Sequence, residues 1–361
     1  MKILLGLNAS NLYRKSYCGF KAYYGGEYVD PLYMGSFGWY WQRTLTLMKH
    51  TVETVMLSKR YTEIEYSSLS CLFGMLYRRS GLNMLHEKIV SNQLYKRALC
   101  AKPDLILIDS GQALLPETLK RIKIELKIPL IIWLLDDPVH QEWNNVLRSL
   151  QYYDYVFTFD PHYIEEYKKL GARNVRYLPC ACDPDIYKTL HDHRDEIYDL
   201  TFIGTVTPNR IELLSKLARF DLSIWSWIPR SLIPYPLNLP KYYRGRAFGE
   251  DTNNIYNQSK IALNFHHPQS IVATNMRTFE IASSGTFQLV EYKEEIAKLF
   301  RIGDEIICFN DADDLIELIH YYLPRSDERK RIAKEAQKRV HSEHTYANRF
   351  EEMFVYINST L

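Results

Sequence analysis

No run of eighteen apolar residues occurs in the 361-residue chain, so no segment reads as a helix spanning a bilayer. The stretch Met1–Asn8 has one basic residue and too short an apolar run for the core of a signal peptide. It reads instead as a first buried strand, and a cytoplasmic protein is expected. Of the six cysteines, Cys18, Cys71, Cys100, Cys180, Cys182 and Cys308, only one pair is close, a C-x-C that fits neither a zinc ribbon nor a redox C-x-x-C. Reduced, mostly buried thiols are expected. Neither G-x-G-x-x-G nor a Walker pattern is present, which excludes the two best-marked phosphate loops. Ser110 has no nucleophile elbow around it, so a hydrolase triad is excluded. There is no internal repeat and no low-complexity tract.

What is present suits a soluble globular chain of two domains: 46% apolar and 24% charged residues, and a length too great for one ordinary core. The net charge of +2 is uneven. Residues 1–100 hold thirteen Lys/Arg against six Asp/Glu, a net +7, which suggests either a peripheral contact with a membrane surface or acidic acceptor, or a solvated face balanced elsewhere. No nucleic-acid motif accompanies the charge, so nucleic acid is not expected as a partner.

Short apolar runs bounded by turn signals alternate with helical segments, the pattern of parallel sheets covered on both faces. Strands are predicted at Lys2–Leu7, Glu53–Leu57, Asp104–Ile108, Leu130–Leu135, Asp154–Phe159 and Val175–Leu178, with helices between them. Asp160 should cap a helix that starts at Pro161 and ends at Gly171. The polar stretch Leu190–Glu196 interrupts the rhythm and marks the predicted linker. Strands at Asp199–Ile203, Asp221–Trp225, Ile261–Phe265, Thr286–Val290 and Glu305–Phe309 then resume it, around a Pro-rich loop from Trp227 to Gly249. Two charged helices, one capped by Ser326 and one by Thr345, close the chain.

Open α/β sheets bind ligands at the carboxyl ends of their strands, so the loops there are the first candidates for chemistry. Ile203–Arg210, with Thr205 in it, follows a strand and leads into a helix, with Gly204 permitting close backbone approach and Arg210 offering charge; it is a diphosphate loop or a plain turn. The run Asn275-Met276-Arg277-Thr278-Phe279-Glu280 opens a helix. Arg277 and Glu280 stand three apart, so together they either grip a phosphate and a ribose diol or form a solvated pair. Asp136 and Asp137 follow the most apolar strand of the first half. Either is a candidate general base; the alternative is that they cap the next helix. His266 and His267 follow Ile261–Phe265 and point to opposite sides, so they are poorly placed to share a metal, and His266 is a candidate contact for a sugar or phosphate. Trp225, Trp227, Tyr242 and Tyr243 flank the Pro-rich loop and are candidates for stacking or for packing.

Taken together, Asp199–Gly204, Ser259–Asn264, Asn275–Glu280 and Glu343-His344-Thr345-Tyr346 resemble the CgeB-type, spore-maturation-protein-like glycosyltransferases. The likeness is strongest over about residues 150–350. It implies a GT-B architecture, α/β with two Rossmann-like domains facing across a cleft: an acceptor domain over 1–190, a nucleotide-sugar donor domain over 191–344, and a final helix over 345–361 packing back on the first. It also implies that Glu280 holds the donor ribose, that Arg210, Arg277 and Lys260 neutralise the diphosphate, and that Gly204, Thr205, His266, Asn275, Met276 and Thr278 belong to the same site. No metal and no cofactor is implied, the nucleoside diphosphate-sugar being a substrate. The acceptor would be a hydroxyl on a glycan, lipid carrier or protein, and the base Asp137 or Asp136. One departure stands out. The pattern E-x7-E of retaining enzymes would place an acid at 272, where this chain has Val272. That leaves retention or inversion open and admits the alternative of a catalytically silent scaffold that binds nucleotide sugars.

Overall fold

The computed structural model describes residues 1–7, 22–24, 27–29, 37–57, 82–190, 196–226 and 241–360. They form two compact units, Met1–Leu178 with Met353–Leu361, and Pro179–Glu352. The strands of the first unit are β1 (Lys2–Leu7), a small antiparallel hairpin of β2 (Ala22–Tyr24) and β3 (Glu27–Val29), β4 (Thr51–Met56), β5 (Leu105–Asp109), β6 (Leu130–Leu134), β7 (Tyr155–Thr158) and β8 (Val175–Tyr177). Apart from the hairpin they make one parallel sheet in the order β4-β1-β5-β6-β7-β8. Every residue of β5 and β6 is buried, which explains why LILI, before the buried Asp109, and LIIWL read as unbroken apolar runs rather than as alternation. Trp41, on the helix Phe37–Leu47, stacks on Trp133 of β6 with ring centres 4.9 Å apart.

The second unit repeats the plan with β9 (Tyr198–Ile203), β10 (Leu222–Trp225), β11 (Tyr243–Gly245), β12 (Ser259–Asn264), β13 (Gln288–Glu291) and β14 (Ile307–Phe309). Their order is β11-β10-β9-β12-β13-β14, all parallel. Strand order reverses between β9 and β12, and such a reversal opens a ligand crevice at the carboxyl ends of those two strands. Beneath it lies a core that includes Leu200, Phe202, Ile224, Leu263, Phe265 and Leu289.

Three differences from the sequence reading have plain causes. β11 lies within what reads as Pro-rich loop, because its three residues are too few for a period; residues 227–240 of that loop, Trp227 among them, lie outside the described residues. Ser326 is the first residue of its helix rather than the cap, a position taken by Arg325 without a side-chain bond. The units divide at Leu178/Pro179, upstream of the polar stretch of which 191–195 lie outside the described residues. Lys188 and Leu190 bond through their N–H groups to Asn253 and Asn257 of the second unit. The Asp160 and Thr345 side chains accept from His162 N and Asn348 N, as caps do. The last helix, Tyr346–Thr360, belongs to the second unit up to Glu352 and to the first from Met353. Among the described residues no helix is long and apolar enough to cross a membrane. Cys180 and Cys182 are buried and Cys100 exposed, all of them free thiols; Cys18 and Cys71 lie outside the described residues.

Gly285 follows the helix Met276–Ser283 in the left-handed region, at φ +71°. A Cβ there would stand 2.5 Å from Thr189 Oγ1 and 3.2 Å from Gln337 Nε2. Gly285→Ala combines a strained backbone with overpacking, and we expect a loss of about 1–3 kcal/mol, read as a lower urea midpoint at unchanged slope.

Candidate functional site

Arg210 lies in the first turn of the helix Pro208–Lys216, yet its side chain turns back under the sheet edge. Its Nη1 donates to Thr205 O at 2.8 Å and its Nη2 to Phe265 O at 2.6 Å, joining the loop after β9 to the segment after β12 across the point of strand reversal. Only 9% of the residue is exposed. Burial lowers the guanidinium to about 10, a value still well above neutrality, so it stays charged, and it shares the field of Glu291 and Arg277. Gly204 stands beside it, where a Cβ would approach Phe202 Cζ to 3.3 Å.

The segment after β12 is held by a polar chain. Asn264 Nδ2 donates to Thr278 Oγ1 at 2.8 Å, and the Thr274 and Thr278 hydroxyls bond to each other. His266 Nε2 pairs with Thr274 Oγ1 at 2.8 Å, and burial lowers the pKa of its imidazole. Asn275 occupies the N-cap position in extended conformation but does not cap. Its Nδ2 instead donates to Asn264 Oδ1 at 2.9 Å and to Phe265 O at 3.2 Å. A helix of eight residues therefore begins at Met276 with its first N–H groups uncovered by the cap side chain, at the carboxyl end of the switch-point strand. Arg277 sits in that first turn with 24% of its side chain exposed, donating from Nη1 to Glu280 Oε2 at 2.5 Å. Glu280 itself is 0% exposed. It faces inward, among Arg277 and Tyr187, and burial raises its pKa.

The structure thus brings Gly204, Thr205, Arg210, His266, Asn275, Met276, Arg277 and Thr278 to one edge of one sheet. The inference that Glu280 grips a ribose meets a carboxylate with no exposed surface; in this conformation what it holds is Arg277. Thr278 is likewise 0% exposed and serves Asn264 and Thr274. Lys260 is not part of the cluster. It is the second residue of β12, four residues, or about 13 Å of strand, from Asn264, and it pairs with Asp199 at 2.6 Å near the opposite sheet edge. The strand predicted at Ile261–Phe265 already placed Lys260 at its amino end, away from the carboxyl-end loops.

On the first unit, Asp137 is 2% exposed and accepts from Val139 N at 3.2 Å, His140 N at 2.6 Å and Tyr167 Oη at 2.9 Å. Three donors make it the anchor of the turn after β6, the capping alternative, and leave Asp136, half-buried, as the carboxylate nearer solvent. Of the aromatics flanking the Pro-rich loop, Trp225 packs edge-on against Tyr198, while the Tyr242 and Tyr243 hydroxyls donate to Ala218 O and Ser226 O. These rings are packing residues. Glu291 was missed. It is the last residue of β13, one position beyond the predicted strand end, and its Oε2 accepts from His266 N at 2.7 Å. A carboxylate at the end of the strand beside the switch point was the available signal. Among the described residues no cluster of three or more His, Cys, Asp or Glu side chains is arranged to hold a metal.

With this geometry, two parallel-sheet units and a cluster of candidate residues at one edge of the second, the chain superposes over its whole length on sucrose-phosphate synthase from Thermosynechococcus elongatus. The TM-score is 0.68 at 10% identity, covering 100% of this chain and 99% of the other. This is the GT-B fold. HepE of Anabaena, in complex with UDP and glucose, shares the GT-B fold at TM-score 0.59 and 14% identity over 88% of this chain and 89% of its own. AviGT4, a glycosyltransferase involved in avilamycin A biosynthesis, does so at 0.57 and 15% over 100% and 98%. In sequence, residues 209–354, which include most of the candidate residues, match the model of a family described as glycosyl transferase-like. No curated protein matches the chain.

Proposed function

We propose that this protein transfers a sugar from a nucleoside diphosphate-sugar to a hydroxyl acceptor on a glycan, lipid carrier or protein, as the resemblance to the CgeB-type enzymes implies. The single observation that carries the reading is the uncapped helix start at Met276, with Arg277 in its first turn, at the switch point of a GT-B sheet. Departure of a nucleoside diphosphate develops negative charge, and backbone N–H groups, the helix dipole and Arg277 are the groups suited to receive it. In this reading they meet the diphosphate without a protein-bound metal, and the buried Arg210 supports them by fixing both loops. Asp136 is the proposed base. UDP is the first nucleotide to try, because HepE is bound to UDP and to UDP-glucose. The second unit is then the donor unit and the first the acceptor unit.

Thermal unfolding in the presence of UDP, GDP, TDP, ADP and CMP tests this. A ligand at a hundred times its dissociation constant adds about 2.7 kcal/mol to the native state, which for 361 residues unfolding together is a shift of roughly 3–4 °C. We expect that shift with one diphosphate and a smaller one with CMP. No shift with any of the five would sink the proposal.

A further inference from the structure

Apart from Glu280, sealed in and paired with Arg277, the charged groups of the cluster are Arg210 and Arg277, which suit a diphosphate. Glu291 is the exception. It ends β13, the strand next to β12 on the side away from β9, so its carboxylate lies at the carboxyl end of the sheet, against the segment after β12. Its Oε2 is pinned by His266 N at 2.7 Å and lies 3.6 Å from His266 Nδ1. Its Oε1 has no protein partner among the described residues, and 32% of the side chain is exposed. The carboxylate is thus fixed by one oxygen and open at the other. Although burial acts to raise its pKa, the His266 backbone and ring with Lys293 hold it below the ordinary value, so it is an anion at neutral pH.

An anion in the same field as Arg210 and Arg277 works against a bound diphosphate, since it offsets part of their charge. It works in favour of a neutral polyol. A carboxylate oxygen accepts two hydroxyl hydrogens, and hydrogen bonds to a charged acceptor are about twice as strong as neutral ones. We propose that Glu291 is the residue that receives the sugar half of the donor, its open oxygen accepting from sugar hydroxyls while the pinned oxygen holds the His266 segment in place. This rests on the reading of the site as one for nucleotide sugars. Glu291 is then a specificity-determining residue: it rewards a nucleotide that carries a sugar and disfavours the bare diphosphate left after transfer.

Glu291→Gln keeps an oxygen for His266 N and removes the charge. Calorimetric titration of wild type and variant with UDP and with UDP-glucose separates the roles. We expect UDP-glucose to bind the variant at least tenfold more weakly, UDP to bind it equally or more tightly, and the melting temperature to stay within a degree or two of wild type. Glu291→Ala, which also frees the His266 segment, should add a loss of UDP affinity. If Glu291→Gln weakens both ligands by the same factor, or neither, Glu291 is only a structural anchor and the assignment falls. If wild type binds neither UDP nor UDP-glucose, the failure lies in the functional reading itself.

Discussion

Arg277→Ala is expected to weaken binding of a nucleoside diphosphate at least tenfold and to lower stability at pH 7 by about 3–5 kcal/mol. The binding loss follows from removing a charge-assisted donor from the first turn of an uncapped helix, a contribution of roughly 1.5–3 kcal/mol. The stability loss has another origin. Glu280 is 0% exposed, and Arg277 is the cation hydrogen-bonded to its carboxylate. Taking the cation away leaves a buried charge uncompensated, the costly way to break such a pair. The sign of the pH dependence follows. A carboxyl whose folded pKa is raised by burial has its stability contribution intact below the ordinary carboxylate range, and loses it as pH rises through the raised value. Acidification toward pH 4 should therefore close the gap between Arg277→Ala and wild type in urea unfolding. The double variant Arg277→Met with Glu280→Gln should recover most of the stability at pH 7 and none of the nucleotide affinity. Recovery of both would show that Arg277 serves only the fold.

Arg210→Met should have the second largest effect, a loss of about 2–5 kcal/mol. The two carbonyls it joins, Thr205 O and Phe265 O, belong to loops on either side of the strand reversal, and each loses a charge-assisted partner in a buried setting. Hydrogen exchange should rise in 204–207 and in 265–275 together, because one side chain ties both. Arg210→Lys cannot rescue the effect fully, since an ammonium offers a point charge where the guanidinium spans two acceptors. Faster exchange in only one of the loops would show that the bridge is not what orders the other.

Most of the fold was legible because parallel strands buried on both faces write themselves as short apolar runs. Leu130–Leu134 and Lys2–Leu7 fall within a residue of their predicted bounds for that reason. β11 was not legible, since three residues in a loop of prolines and aromatics carry no period. In the site, position along the chain located the loops after β9 and β12, and hence Arg210, Asn275 and Arg277. It could not tell which way a side chain turns. Glu280 and Arg277 share a helix face by spacing, yet one is sealed in the core and the other reaches the surface. Asp137 reads as a base or as a turn anchor until Tyr167, thirty residues on, donates to it.

The helix Tyr346–Thr360 has a consequence for the order in which the protein is made. The second unit is one continuous stretch, Pro179–Glu352, and every residue it needs has been translated when its last one emerges. The first unit is discontinuous: Tyr356 packs edge-on against Tyr155 and Phe157 and under the Arg176 guanidinium, and these contacts wait for residues made after the whole of the second unit. On the ribosome, where domains otherwise tend to fold from the N-terminus onward, the unit that is synthesised first is the one that is completed last.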